Sequence, residues 1–422
     1  MLKKNSKLLA SVSFVTIFRA LGAVLGFISG ILITRYLGIK EAGLYFYAID
    51  LITTVALVAG LGLNNALLRD VASRDTSTDS AYIAQKFWSI IKFVFITSLL
   101  CIVFITLGSN NIAHFISKPH IQPLLLILSF LIFLIPLNKY LVTLLQGQKR
   151  LIESSLLQFI LPYTLLSLFI VLIKPTDSIT TSYIHLFVIT LTLLGGLFFS
   201  KKQVFVRKAT QHSNIQGWSP FVTMHLFSSL SIMVISLING YFLPSEEFAI
   251  LTAANRYTLL ISFCLIAFNF VAAPKYARLY KEGKLDELAD FAQSITRFLI
   301  IIIIPCSLFV LIFRDELMSL YGADFNNYGY ILAILVVGQI INIATGSVAY
   351  LLTLSGHEAQ LKNIIIVLTP ISILLSFVLA YYFGLIGVAL AMAISSININ
   401  ICAYIMVVKR LGFHTIKLSL KN

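Results

Sequence analysis

Apolar runs of eighteen residues or more recur along the whole chain, with short polar segments between them. Helices of this length cross the roughly 30 Å hydrocarbon layer of a bilayer. The period-two alternation of a porin-type strand is not seen in these runs. The pattern therefore predicts twelve membrane-spanning helices, near residues 8–35, 42–64, 85–107, 122–146, 154–173, 181–200, 218–243, 248–273, 294–313, 329–354, 361–382 and 385–408.

Composition supports the same class. The 422 residues are 59% hydrophobic and only 11% charged, whereas ordinary soluble chains carry about a quarter charged residues. The opening "MLKKNSK" precedes an apolar run that is too long for a signal peptide and lacks a cleavage pattern, so we expect a retained first helix. We predict an all-α integral membrane protein.

The positions of lysine and arginine predict the orientation. Twelve spans place both termini on one side. If that side is the cytoplasm, 22 of the 31 lysines and arginines are cytoplasmic and 5 are external. Cytoplasmic loops of membrane proteins carry such an excess, so both termini are predicted to be cytoplasmic. A basic face toward anionic lipids also accounts for the net charge of +14 without a nucleic-acid partner.

The two halves of the chain share a weak repeat. Pairs of matching residues recur at an offset of 205, and proline and glycine matches follow at 208 and 209. Parallel halves of this kind are typical of transporters whose substrate site lies between them, although chance similarity among apolar helices remains the alternative. We predict a six-helix lobe over 1–200, a basic cytoplasmic loop over 201–217, and a second lobe over 218–422.

Four ionisable residues lie deep within predicted spans, where charge is costly and usually faces a cavity or a partner. They are Arg19, Asp50, Lys139 and Arg256. Arg19 follows Lys7 by twelve positions, or about 18 Å of helix, which predicts a position near mid-membrane. Depths counted from the outer ends of their helices predict the same level for Asp50 and Arg256. Two readings stay open for Arg19: an ion pair with Asp50, or a cavity cation that meets an anionic substrate.

The first span carries glycines at intervals of four, at Gly22, Gly26 and Gly30. Such a GxxxG repeat allows close approach between helices. Arg19 lies three residues before Gly22 and so on roughly the same face. We therefore predict that Arg19 points toward protein or a cavity rather than toward lipid.

The sequence gives little support for an enzyme. It contains no GxxxxGK[ST], HExxH or GxSxG stretch, and its four cysteines stand singly without metal-ligand spacing. A membrane glycosyltransferase or polymerase would need a sizeable external loop with catalytic side chains, and the predicted loops are short. We expect no catalytic residues, no metal and no cofactor.

Several ordered motifs resemble one family. They are "FRALGAVLGFISGILITRYLGIKEAGLYFYA", "GLGLNNALLRDVA", "LTAANRY", "AAPKYARLYKEGKLDELADFAQ", "LYGADFNNYGYILAILVVG" and "TLSGHEAQLKN" with "LIGVALAMAISS". Together they resemble the O-antigen (Wzx-type) flippases, polysaccharide transporters of the multidrug/oligosaccharidyl-lipid/polysaccharide exporter superfamily. The resemblance covers essentially the whole chain and implies a MATE-like fold of two six-helix lobes.

The resemblance also implies a function. The substrate would be an oligosaccharide repeat unit on undecaprenyl diphosphate, moved to the periplasmic leaflet of a bacterial inner membrane for O-antigen and lipopolysaccharide biosynthesis. Arg19, Arg256, Lys139 and Asn255 would line the substrate cavity, and Asp50 would be a counter-ion or ion-coupling site. A polysaccharide polymerase and a chain-length regulator are the implied protein partners, with membrane lipids around them.

Other classes of membrane protein fit less well. A drug or organic-cation exporter of the same superfamily should carry more membrane carboxylates than cations, and here the ratio is reversed. A lipid II flippase typically has two further helices. A channel would not need two related halves, and a glycosyltransferase or polymerase would need larger loops.

Overall fold

The computed structural model of the protein describes residues 2–72, 80–204 and 219–416, and almost all of these residues are helical. No strand occurs in these ranges. Helices pair their own backbone amides and carbonyls, which lipid cannot do for them. The predicted all-α class is confirmed. Of the predicted loop over 201–217, residues 201–204 continue a helix and the rest lie outside the described residues.

Fifteen α-helices are described, together with short 3-10 turns at Pro119–Ile121 and Ala323–Tyr328 and a π turn at Leu156–Ile160. The helices are α1 Leu2–Ala59, α2 Asn64–Ala72, α3 Ser80–Phe115, α4 Gln122–Leu128, α5 Leu131–Gly147, α6 Leu151–Ser155, α7 Leu161–Ile173, α8 Ser178–Val204, α9 Ser219–Phe242, α10 Ser245–Lys281, α11 Leu285–Ile312, α12 Arg314–Ser319, α13 Gly329–Ala344, α14 Val348–Leu354 and α15 Glu358–Leu411.

Within the described ranges, eight helical segments are long and apolar enough to cross a membrane. A ninth is added if the bent pair Pro119–Leu128 and Leu131–Gly147, which meet at 41°, forms one span. The chain is therefore a multi-pass helical membrane protein.

Two of the helices are kinked at a glycine. Gly38 divides α1 at φ 73° and ψ 169°, and Gly384 divides α15 at φ 51° and ψ −128°. These backbone angles are strained for residues with a Cβ atom but accessible to glycine. At 58 residues, α1 would be about 87 Å long if it were straight, far more than a bilayer needs. The kink divides this long element into two helical segments.

The chain separates into two compact units, residues 1–249 and residues 250–422. In the first unit, α9 packs along α1, although the sequence-based division placed α9 in the second lobe. In the second unit, α13 packs against α15, where Gly338 meets the backbone of Ala393. The predicted lobe boundaries stay a prediction.

Candidate functional site

Asp50 lies in the second half of α1, where this helix packs against α9. Its carboxylate accepts a hydrogen bond from the Ser236 hydroxyl, with 2.5 Å between Oδ2 and Oγ. One turn earlier, the fully buried ring of Tyr47 lies over Gly240, where an added methyl group would come within 1.9 Å of the ring. Gly240 therefore allows the close contact between α1 and α9 that holds Asp50.

Further polar atoms are buried on these two helices. In the described part of the chain, the Tyr47 hydroxyl and the side-chain oxygen of Asn239 are among the buried atoms without a hydrogen-bond partner, which is uncommon for buried polar groups. Asn239 follows Ser236 by one turn on α9. Asp50 thus lies at a helix contact that also buries polar atoms from both α1 and α9.

Lys118 caps the C-terminal end of α9. Its ammonium donates hydrogen bonds to the carbonyl oxygens of Gly240 and Leu243, the latter at 2.6 Å. It also lies 5.2 Å from the centre of the Tyr47 ring. A cation at a helix C-terminus satisfies unpaired carbonyls and the helix dipole. Burial lowers the pKa of Lys118 to about 8, and the nearby Glu246 carboxylate opposes this shift.

This pKa predicts a pH-dependent stability. The ordinary lysine value is 10.5. Between about pH 8 and about pH 10.5, the unfolded chain therefore binds more protons at this site than the folded chain, so the contribution of Lys118 to the free energy of unfolding rises with pH. We expect the melting temperature of the wild type to rise relative to Lys118→Met across this window. If the difference between the two melting temperatures stayed constant or shrank as the pH rose, the lowered pKa of Lys118 would be contradicted.

Arg19 lies on the first half of α1 and contacts the π turn that precedes α7. The centre of its guanidinium is 5.4 Å from the centre of the Phe159 ring, within the range of a cation–π interaction. Gly22, one turn along, meets the backbone of the same residue, where an added methyl group would lie 2.6 Å from the Phe159 carbonyl oxygen. Arg19 and Gly22 thus face the same protein segment.

The other two glycines continue along this helix. Gly26 faces the Tyr163 ring, which an added methyl group would approach to 3.4 Å, and Gly30 is buried. Because Gly22 and Gly26 meet residues four positions apart, the first half of α1 and the segment entering α7 run in parallel. We propose that Gly22, Gly26 and Gly30 together allow this close packing of the first half of α1.

The glycine contacts predict a difference between two variants. Gly22→Ala forces a methyl group against backbone and should destabilise the fold by about 1–3 kcal/mol. Gly26→Ala is the matched control, because its methyl group makes an ordinary contact with a ring. Thermal unfolding of both purified variants measures the difference. Equal melting temperatures would show that Gly22 is not tightly packed.

A small, partly open cavity lies at the end of α1, between α1, α5 and α9. Lys139 from α5 and His225 from α9 line this cavity. His225 Nε2 lies 2.8 Å from the carbonyl oxygen of Leu57. An added methyl group on Gly62, which has φ +64°, would lie 2.2 Å from the imidazole. The turn after α1 therefore accepts this histidine only because position 62 is glycine.

Contacts between neighbouring helices place Arg19 near the level of this cavity. Leu157 lies two residues before Phe159, the residue that Arg19 contacts, and faces Gly195 of α8. The adjacent Gly196 faces Asn138 of α5, next to Lys139. Within the first unit, the two cations therefore lie at a similar depth.

Arg19 and Asp50 lie on the two halves of α1. Asp50 follows the kink at Gly38 by twelve residues, whereas Arg19 precedes the kink by nineteen, a difference of about 10 Å along straight helices. The shared membrane level of Arg19, Asp50 and Arg256 stays a prediction, and so do the two readings for Arg19.

Arg256 and Asn255 belong to the second unit. The Asn255 side-chain oxygen accepts a hydrogen bond from Thr258 one turn along α10, at 3.0 Å. The adjacent Tyr257 hydroxyl donates to the Leu317 carbonyl oxygen. Burial raises the pKa of Tyr321, and the charge of Arg256 opposes this shift. Arg256 thus lies close to Tyr321. Tyr321 follows α12 and precedes the 3-10 turn at Ala323–Tyr328.

Sequence reasoning missed Tyr47, Ser236, His225 and the role of Lys118. A tyrosine or serine in an apolar helix gives no periodic signal. The glycines of "GLGLN" could have indicated a close approach to the end of α1, but they could not name the histidine on another helix.

The chain is similar to known proteins of polysaccharide and glycan biosynthesis. Residues 8–280 match the model of the family described as polysaccharide biosynthesis protein. The probable low-salt glycan biosynthesis flippase Agl15 of Haloferax volcanii is 24% identical over 394 residues, which cover 89% of this chain and 78% of that protein.

Two solved structures share the fold. An inward-facing multidrug resistance MATE family transporter of the MOP superfamily aligns with a TM-score of 0.73 at 16% identity, over 94% of this chain and 98% of that one. The lipid II flippase MurJ, in an inward closed conformation, aligns with a TM-score of 0.75 at 16% identity, over 94% of this chain and 87% of that one. These relatives are flippases and transporters.

Proposed function

Because the chain belongs to the polysaccharide biosynthesis protein family, we propose that it is a flippase for a lipid-linked oligosaccharide. The substrate is an oligosaccharide repeat unit on undecaprenyl diphosphate, and it moves from the cytoplasmic to the periplasmic leaflet of a bacterial inner membrane. The description of the Haloferax relative as a glycan biosynthesis flippase supports the substrate class.

The observation that carries this proposal is the pair of cations at the inner level of the first unit. Arg19 and Lys139 lie on helices that are connected through contacts with α8, and these contacts support a similar depth for the two side chains. Permanent charge at membrane depth is costly unless it meets an anion or water. A diphosphate supplies such an anion. In the second unit, Arg256 provides a further cation, and Asn255 a hydrogen-bonding side chain for the substrate.

Transport proceeds by alternating access in this proposal, with twelve crossings in two lobes. Splitting α1 at Gly38 and α15 at Gly384, treating α4 and α5 as one span, and including α10 brings the number of crossings to twelve. The bias of lysine and arginine supports cytoplasmic termini. Asp50 couples transport to an ion gradient from the helix contact between α1 and α9. A polymerase and a chain-length regulator receive the exported unit during surface polysaccharide assembly.

A competition experiment tests the substrate class. The purified full chain is incubated with a fluorescent undecaprenyl-diphosphate-linked oligosaccharide and then challenged with tetraphenylphosphonium, an organic cation. We expect saturable binding that unlabelled undecaprenyl diphosphate displaces and the organic cation does not. Displacement by the cation alone would contradict the proposal and favour a drug exporter of the same superfamily.

A further inference from the structure

The second unit carries a row of uncharged polar side chains along one face of α10. Asn255, Thr258, Ser262 and Asn269 follow one another at intervals of three, four and seven residues, so they lie on one side of the helix. Thr258 and Asn269 are buried, and the other two are half-buried. Polar side chains within a membrane helix are costly against lipid and instead face protein or a cavity. This polar row of α10 therefore faces away from lipid.

Ser262 connects the polar row to two amide side chains on α13. Its hydroxyl oxygen lies 2.9 Å from Gln339 Oε1, and Asn342 Nδ2 donates a hydrogen bond to the same oxygen, also at 2.9 Å. Gln339 and Asn342, here called the amide pair, belong to the apolar segment Ala323–Leu354, which is long enough to cross a membrane. Two helices thus bring uncharged polar groups together at membrane depth.

The amide pair has hydrogen-bonding groups to spare. A carboxamide offers two N–H donors and one accepting oxygen, but Gln339 Oε1 takes both of the bonds just described. In the described part of the chain, neither the Gln339 amide nitrogen nor the Asn342 side-chain oxygen has a hydrogen-bond partner. Both residues are half-buried rather than sealed in the core. A polar link that served only to join two helices would be expected to pair these groups.

A second observation comes from the far end of the polar row. Asn269 is only 5% exposed, and its side-chain oxygen is among the buried atoms that lack a hydrogen-bond partner in the described part of the chain. Unsatisfied buried amides are uncommon in folded proteins and call for an explanation, such as a ligand or water. The row therefore has unused acceptors both at Asn342 and at Asn269.

The open groups match the hydroxyls of a neutral sugar. A hydroxyl both donates and accepts, so neighbouring hydroxyls on a sugar ring can pair with an amide nitrogen and an amide oxygen. Ligand sites commonly place a few such groups in an otherwise apolar wall. The amide pair and Ser262 carry no charge, and Arg256 precedes Ser262 by six residues, or about 9 Å of helix. Neither a diphosphate nor an organic cation gains a counter-charge from these side chains.

We propose that Gln339 and Asn342 bind hydroxyl groups in the sugar part of the substrate and so help to select which repeat unit is carried. The inference rests on the proposed function in one respect, namely that the cargo contains a sugar. It adds two residues and a chemical preference, and it assigns sugar hydroxyls rather than the diphosphate to this part of the second unit.

Binding of defined lipids to the purified full chain tests this assignment. The probes are undecaprenyl diphosphate and the same lipid carrying glucose, galactose or N-acetylglucosamine. The ratio of the dissociation constants with and without the sugar measures what the sugar contributes to binding.

Two variants replace an amide with an apolar group of similar volume, Asn342→Leu and Gln339→Met. Asn342 donates within α13, so Asn342→Leu leaves the contact between Ser262 and Gln339 in place and should keep the fold. Asn400→Leu is the matched control, because the Asn400 amide donates to the Ser396 carbonyl oxygen within its own helix, α15, at 2.8 Å.

We expect the wild type to bind at least one of the glycosylated lipids about tenfold more tightly than undecaprenyl diphosphate. Each amide variant should lower this preference about fivefold, the size of one neutral hydrogen bond, and leave the affinity for undecaprenyl diphosphate within about twofold of the wild type. The control should keep the full preference. A wild type that prefers no glycosylated lipid would overturn the proposal. So would an Asn342→Leu protein that keeps the full preference, or one that loses affinity for all four lipids equally.

Translocation measured on the same proteins separates this inference from the proposed function. If the wild type prefers a glycosylated lipid through these amides but moves none across the membrane of a vesicle, the sugar site stands and the flippase proposal fails. If the wild type moves the lipid and Asn342→Leu keeps the full preference, the flippase proposal stands and the sugar site fails.

Discussion

Replacing Arg19 with alanine is expected to lower the translocation of lipid-linked oligosaccharide about tenfold or more. The guanidinium lies over Phe159, near the depth of Lys139. In our account it binds the substrate diphosphate there, and a charged hydrogen bond of this kind contributes about 1.5–3 kcal/mol. Surface polysaccharide in cells and translocation in vesicles both measure the loss.

Two further variants show whether charge or packing at Arg19 is responsible. Arg19→Lys retains the cation but loses the planar stacking and paired donors of arginine, so its translocation should lie between wild type and alanine. Lys92→Ala removes a cation from an exposed position on α3 and should have little effect. Normal translocation by Arg19→Ala, at normal protein levels, would refute the role of this arginine as a cavity cation.

Replacing Asp50 with asparagine should remove the response of transport to an imposed proton gradient. The side-chain oxygen of the asparagine can still accept a hydrogen bond from the Ser236 hydroxyl, which lies 2.5 Å from the Asp50 carboxylate in the wild type. The fold should therefore persist, but the side chain can no longer bind and release a proton. Translocation in vesicles is measured with and without an imposed gradient.

Ser236→Ala serves as the control for this variant, because it removes the hydrogen bond that Asp50→Asn can keep and leaves the acid in place. We expect it to retain the gradient response with a changed pH dependence. An Asp50→Asn protein whose transport is undiminished and still follows the proton gradient would exclude Asp50 as the coupling acid.

The sequence predicted the fold class because the lipid environment limits the choices. Long apolar runs can only become helices there. The kinks at Gly38 and Gly384 fall in gaps that the sequence predicts between spans. The match to a polysaccharide biosynthesis family confirms the resemblance drawn from the motifs.

The sequence predicted less about the site, because depth and partners depend on how helices pack. Arg19 and Asp50 were identified as buried ionisable groups, but helix length alone could not fix their relative levels. His225 was missed because its environment comes from Leu57 at the end of α1 and from Gly62 in the turn that follows. A contact between residues more than 160 positions apart leaves no local pattern.

The most direct measurement of the central claim is translocation by the purified chain in sealed proteoliposomes. A fluorescent undecaprenyl-diphosphate-linked oligosaccharide is placed in the membrane, and an impermeant reagent that destroys the label reports which leaflet holds it. The account predicts that the wild type equilibrates the label between leaflets faster than protein-free vesicles, and that Arg19→Ala does so much more slowly. Equal rates with the wild type and without protein would contradict the account.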